Sequence, residues 1–311
     1  MAKPGMRLKF VVLTALAATV TAVGCIVLVQ QDAATRKART THLLDLLENA
    51  SSEVSTPAQS ATVAQAAQSR PNLIPEIPPD STDLSLPIRV GLVSQLPIQT
   101  VELKQGTRCH RSDGQPVLNG QFMQAFAQPQ RGALHCVDGA VVLNGRAYRG
   151  ALDFIRREDH WIPVLGLDLE DYVASVVGAE MPSHWHPEAL KAQAVAARSY
   201  ALAHLARPAA ADYHLGDTTR WQVFAGQHSR SRQTVQATRE TRGIILSYRG
   251  GIVESLYAAN QTISREAHGH LGASMSQEGA QRLARQGQQF NEILGTYYRG
   301  ASLARLRRNG R

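Results

Sequence analysis

Glu180 is a carboxylate at a break in the chain, followed by Met181-Pro182 and standing between two segments of helical periodicity. A carboxylic acid so placed can deliver a proton to a leaving oxygen if its surroundings hold its pKa up. The end of a helix helps, because its negative pole disfavours the charged form. The plain alternative for the same residue is a solvated carboxylate at a helix end. Two His-x-His pairs, His184/His186 and His268/His270, put imidazoles on alternate positions that could face one ion. No carboxylate or cysteine stands in register with them, so no metal site is expected. His184 and His186 are expected to cap the second helix or to touch substrate.

Two helices must position Glu180. The first is read over 169–179, with Asp168 as N-cap and Asp171 three residues on, a variant of the capping-box spacing. Its apolar residues Leu169, Tyr172, Val173, Val176 and Val177 recur at helical spacing, so one side is buried. The second is read over 187–205. Pro187 opens it, where a missing amide proton costs nothing, and Glu188 lies in its first turn. Its stripe of Leu190, Ala194, Ala197, Ala201 and Leu205 is small enough for another backbone to approach closely. Such a helix is expected at the centre of a domain.

Glu180-Met181-Pro182, Trp185, the run Glu-Ala-Leu-Lys-Ala-Gln-Ala at 188–194 and the run Ala-Ala-Arg-Ser-Tyr-Ala at 196–201 resemble the signature of the SpoIID/LytB family of cell-wall proteins. A second block resembles that family's C-terminal motif: Ser-Gln-Glu-Gly-Ala at 276–280, Glu292-Ile293-Leu294, Tyr297-Tyr298 and Gly300-Ala301. Gln-Val-Phe-Ala-Gly at 222–226 and Thr-Arg-Gly at 241–243 resemble further landmarks between them, and the likeness runs in order from 88 to 301. It implies an α/β (α+β) SpoIID-like domain that remodels peptidoglycan. The family comprises lytic transglycosylases that cut glycan strands and non-catalytic enhancers of an N-acetylmuramoyl-L-alanine amidase. By the resemblance Glu180 is the essential acid, and Gln193, Arg198, Tyr200, Gln222 and Gln277 are candidates to line the glycan cleft. Taken singly, each of these polar residues reads equally well as helix-surface hydrogen bonding or packing. Glycosidases normally add a second carboxylate for water or nucleophilic attack. A transglycosylase dispenses with it, since the sugar's own 6-hydroxyl attacks, and it needs no cofactor. Two departures from the family pattern stand out. Most of an insertion expected after residue 257 is absent, which would open the groove or change its glycan preference if that insertion helps wall the cleft, and the usual Gly-His-Gly-Val-Gly-Met-Ser-Gln is altered around His270, so that its histidine is displaced.

The chain of 311 residues carries a formal charge of +8 with basic residues scattered, apart from Arg305, Arg307, Arg308 and Arg311 near its end. No basic stripe with stacking aromatics stands out, so nucleic-acid binding is not expected, and anionic envelope polymers fit better. Lys3, Arg7 and Lys9 precede an apolar run over 10–29 that is long enough to cross a bilayer. The run is read as a signal anchor, or a signal peptide if it is cleaved. Basic Arg36, Lys37 and Arg39 blur the positive-inside rule, so the expectation of a membrane-anchored, exported domain, or a secreted one after cleavage, rests on the resemblance. Residues 1–30 are thus assigned to the membrane segment, 31–87 to a low-complexity tether ending in prolines, 88–301 to the domain and 302–311 to a basic tail. Within the domain, 88–165 reads as β-rich and 166–301 as the catalytic core. Asn144-Gly145 signals a tight hairpin, and Asn119-Gly120 another turn. Cys109 and Cys136 are either disulfide-bonded, adding roughly 2–4 kcal/mol, or two buried thiols. Residues 221–224 are read as a strand, 232–241 as a helix, 244–248 and 252–257 as a hairpin, and 277–294 as a helix broken at Gly287.

Overall fold

Alternating buried and exposed side chains build the first half of the domain from strands. The computed structural model describes residues 74–80, 85–127, 132–158, 160–268 and 274–307, all within one unit spanning 46–311. Strands β1 (Pro87–Gly91), β2 (Val101–Leu103) and β3 (Arg108–Arg111) are followed by a short helix α1 (Phe122–Ala127). Then come β4 (Leu134–Val137), β5 (Ala140–Leu143), β6 (Arg146–Arg149), β7 (Ala151–Arg157) and β8 (His160–Asp168). Helices α2 (Leu169–Glu180) and α3 (Pro187–Ala206) form the centre. After them lie β9 (Leu215–Gly216), α4 (Arg232–Glu240), β10 (Ile244–Tyr248), β11 (Gly251–Ile252), β12 (Leu256–Ala258) and α5 (Gln261–His268). The described chain ends with β13 (Ser274–Ser276), α6 (Gln277–Arg285), α7 (Phe290–Tyr297) and β14 (Ser302–Arg305).

Strands β3-β4-β7-β8-β1-β9 make a six-stranded sheet, antiparallel except for the parallel β1/β9 pair. Cys109 and Cys136 face each other across β3 and β4 and are bonded. A three-stranded sheet β2-β5-β6 turns at Asn144-Gly145, where both residues take positive φ, as a two-residue hairpin turn requires. The core lies on α3. Its alanines and Val195, Tyr200 and Leu202 are buried, and α2, α4, α6, α7 and β10 all pack against it. Small side chains permit this crowding, because a helix surrounded on every side must let several backbones approach.

The two central helices fall where periodicity places them, with each end within one residue. Asp168 caps α2 by accepting the Glu170 N–H, while Asp171 instead holds Arg230. Asn119-Gly120 turns the chain into α1 rather than into a strand. Residues 256–258 do not complete a hairpin with β10 but pair in parallel with β13. The helix read over 277–294 is two, α6 and α7, parted around Gly287 at φ 90°. Ser302–Arg305, read as the start of a tail, pair with β10, and Leu303 and Leu306 enter the core.

The expectation of a transmembrane helix and a membrane-anchored localisation is corrected. Among the described residues no helix is long and apolar enough to cross a membrane, and the fold is an α+β domain. The longest helix among the described residues, α3, has 20 residues. It carries Glu188, Lys191 and Arg198, and its apolar surface is covered by protein. The run over 10–29 lies outside the described residues. Part of the expected tether is held on the domain: Asn291 Nδ2 donates to the Pro75 carbonyl at 3.0 Å, and Arg305 pairs with Asp80 at 3.0 Å.

Candidate active site

Glu180 is the last residue of α2, and the extended backbone of Met181 turns the chain away. Its carboxyl accepts the Val223 N–H at 2.8 Å. Burial is the largest influence on its pKa and pushes it above the ordinary value near 4.5; the Val223 N–H and the Gln277 amide pull it back only in part. Gln277 Nε2 is buried beside this group without closing a hydrogen bond of ordinary geometry. The result is a carboxyl whose proton affinity is raised by burial.

Residues 221–224 have the period of a strand, because Gln222 and Phe224 point inward while Trp221 and Val223 stay half-exposed. Among the described residues no strand pairs with them. Their backbone groups are spent locally instead, Trp221 N–H on Thr218 O and Phe224 N–H on Asp217 O, which frees the Val223 N–H for Glu180. The Gln222 side chain is buried and fully used. Its Nε2 donates to the Ala197 carbonyl at 3.2 Å and to the Tyr257 hydroxyl at 2.8 Å, and its Oε1 accepts from the Tyr172 hydroxyl at 2.9 Å. The Tyr172 ring stacks on Phe224 at 5.3 Å. Burial raises the pKa of both phenols well above the ordinary value. The negative charge of Glu180 adds to this for both. Tyr172 and Tyr257 therefore stay protonated near neutral pH.

The structure gathers Glu180, Gln222 and Gln277 and adds Tyr172, Tyr257 and the Val223 amide to them. Gln193 lies on α3 one turn before Ala197, the residue that receives Gln222. Both of its side-chain polar atoms are buried without a partner among the described residues. Arg198 is spent elsewhere. It is fully buried and holds both oxygens of Glu170, at 2.8 and 2.7 Å, and the Ile244 carbonyl at 3.0 Å. The Tyr200 ring packs on His204 at 4.6 Å, and burial followed by Glu254 pushes its hydroxyl up to about 12. His186 caps α3 by accepting the Glu188 N–H at 3.3 Å, and His184 is exposed. The side chains of His268 and His270 lie outside the described residues. A cleft of about 450 Å³ between α3 and α4 is lined by Pro187, Leu190, Lys191, Arg232, Gln236 and Glu240 among others, and by none of the Glu180 group. Its half-buried cation, Lys191, is neutralised by Glu188 and Glu240. The chemistry, rather than the volume, marks the Glu180 group as the candidate site.

The family model for SpoIID, the stage II sporulation protein, matches residues 157–248. An uncharacterised protein of Brachyspira hyodysenteriae is 41% identical over 118 residues, 38% of this chain and 32% of that protein. Stage II sporulation protein D of Bacillus subtilis is 31% identical over 109 residues, 30% of this chain and 32% of that protein. The domain belongs to the SpoIID/LytB family. A protein named amidase enhancer, also of Bacillus subtilis, is 32% identical over 136 residues, which is 43% of this chain and 18% of that protein. The chain thus covers about a third or less of the length of these relatives. Within the SpoIID domain the family match holds Glu180, Gln193, Arg198, Tyr200 and Gln222, whereas Gln277 lies beyond it. Tyr172 and the Val223 amide are not legible as site groups from residue types. Tyr172 sits in an apolar helical stripe that reads as core, and a backbone donor has no signature in residue type.

Proposed function

We propose that the SpoIID domain acts on peptidoglycan as a lytic transglycosylase, with Glu180 as general acid and then general base. The observation that carries this reading is a carboxyl at the end of α2 held toward its neutral form by burial. In the first half of the reaction the Glu180 proton passes to the glycosidic oxygen as the bond from that oxygen to the anomeric carbon breaks. The 6-hydroxyl of the same muramic sugar then forms a bond to that carbon, and its proton returns to Glu180. An anhydro ring results, no water is consumed, and the acid is regenerated. A retaining or inverting hydrolase would need a second carboxylate in reach of the sugar. The buried phenols of Tyr172 and Tyr257 hold Gln222, and with it the loop that carries the Val223 amide.

The second reading is a wall-binding enhancer of an N-acetylmuramoyl-L-alanine amidase that cleaves nothing itself. The comparisons lean toward it, since one relative bears the name amidase enhancer. A digest of purified peptidoglycan and of peptide-stripped glycan with the full chain, beside Glu180→Gln, separates the two. Under the first reading mass spectrometry finds anhydro-muramic ends that vanish in the variant. Reducing ends would replace it with hydrolysis, and glycan binding without product, joined to stimulation of an amidase by wild type and variant alike, would establish the second.

A further inference from the structure

A second buried carboxylate, Asp217, lies at the base of the loop that serves Glu180. It is 3% exposed, and its two oxygens are met by hydrogen bonds from Ser94, with its own backbone N–H and the Arg146 charge as lesser influences. Its Oδ1 accepts the Ser94 N–H at 2.9 Å and its Oδ2 accepts the Ser94 hydroxyl at 2.5 Å. Its own carbonyl accepts the Phe224 N–H at 3.2 Å, closing residues 217–224 into a loop. Ser94 belongs to the helical turn Val93–Gln95 just after β1, so the side chain of Asp217 fastens this loop to the large sheet. At the loop's other end Phe224 stacks on Tyr172 and Val223 donates to Glu180. Burying a carboxylate is costly unless its oxygens are satisfied. Here both oxygens are satisfied by Ser94, so the side chain can act as a clamp.

We propose that Asp217 is a positioning residue for Glu180, acting through the 217–224 loop that it clamps to the end of β1. With the clamp closed, the Val223 N–H is held at 2.8 Å from the Glu180 carboxyl and limits how far burial raises its proton affinity. A general acid must lose its proton in the first step and regain it in the second, so it needs a proton affinity that is raised but bounded. The consequence for cleavage rests on Glu180 being that acid; the clamp itself does not.

The test uses the full chain with its glutamates labelled at the δ-carbon. The Glu180 titration is followed by carbon NMR and the Val223 amide by hydrogen exchange, in wild type, Asp217→Ala, Asp217→Asn and Ser94→Ala. In Asp217→Ala the Val223 amide should lose protection and Glu180 should bind its proton about tenfold more tightly, as expected for the loss of one hydrogen bond to a carboxylate. Asp217→Asn should stay close to wild type, because its oxygen still accepts the Ser94 N–H and its amide can donate to the Ser94 oxygen. Ser94→Ala removes one of the two bonds and should move Glu180 in the same direction by less. It carries the test if Asp217→Ala does not fold. A folded Asp217→Ala, or a folded Ser94→Ala where the first fails, with an unchanged Glu180 titration overturns the proposal. A parallel glycan digest keeps the two readings apart. Absence of anhydro ends in wild type would sink the transglycosylase reading, while the Glu180 titration would still decide the role of Asp217.

Discussion

Gly178 lies two residues before Glu180 in α2, and a Cβ added there would meet the Ser229 carbonyl oxygen at 2.0 Å. On an exposed helix, glycine to alanine stabilises by up to about 1 kcal/mol. Here the contact would have to open from 2.0 Å to the 3.4 Å at which such contacts become ordinary, a parting of about 1.4 Å by that difference. The Ser229 side cannot yield freely. The Ser229 hydroxyl donates to the Ser175 carbonyl at 2.8 Å. Arg230 donates to the Ser175 hydroxyl, the Asp171 carboxylate and the Asp171 carbonyl, each at 2.8 Å. Overpacking of this kind costs about 1–3 kcal/mol, and each hydrogen bond broken in relief costs about 1 more. Set against the gain in helix propensity, Gly178→Ala should destabilise by about 2–3 kcal/mol. For a domain of this size the melting temperature should fall by about 5–10 °C. Thermal melts of the full chain followed by circular dichroism read this directly. A variant that melts level with wild type or above it would refute the reasoning, since only the propensity gain would then be left.

Three more outcomes follow from the packing. Arg198→Met strands the Glu170 carboxylate that Arg198 now holds with two bonds, and urea unfolding should show a loss of about 3–5 kcal/mol; adding Glu170→Gln should restore part of it, and a loss under about 1 kcal/mol would contradict the assignment. Because burial raises the folded pKa of Glu180 above its ordinary value, the folded state binds the proton more tightly than the unfolded one, and stability is lost as pH rises from the unfolded pKa through the folded one. Glu180→Gln removes this penalty, so it should melt above wild type at pH 7 and level with it below the ordinary carboxylate range; equal melting at both pH values would count against a buried acid. Reducing the Cys109–Cys136 bond, which closes a separation of 27 residues, should cost roughly 3–4 kcal/mol in paired melts with and without reductant, and unchanged melting would show that the sheet needs no staple.

What residue types make legible is what repeats with a period or is capped locally. Both central helices are legible because Asp168 and Pro187 mark their starts and the buried residues recur at helical spacing. The β5–β6 hairpin is legible from Asn144-Gly145, which takes the two positive φ angles of its turn. The misreadings share a cause: periodicity reports which face of a segment is buried, not what covers it. Residues 221–224 have the burial of a strand, yet what covers them is Tyr172, Ala197 and Tyr257, so the backbone stays free to serve a carboxylate. Residues 256–258 likewise have the alternation of a hairpin arm, but their partner is β13 in parallel, a pairing that no local turn encodes. The same limit governs the candidate site. Glu180 is legible from its place at a helix break. Arg198 shares its motif, although the polar atoms of Arg198 turn to Glu170 inside the core. Residues of equal prominence in one motif can therefore divide into those that face a site and those that hold the helices that build it. In this domain the division falls along α3: its Ala197 carbonyl supports the Gln222 loop beside Glu180, and Arg198, the next residue, fastens the helix to α2 and β10.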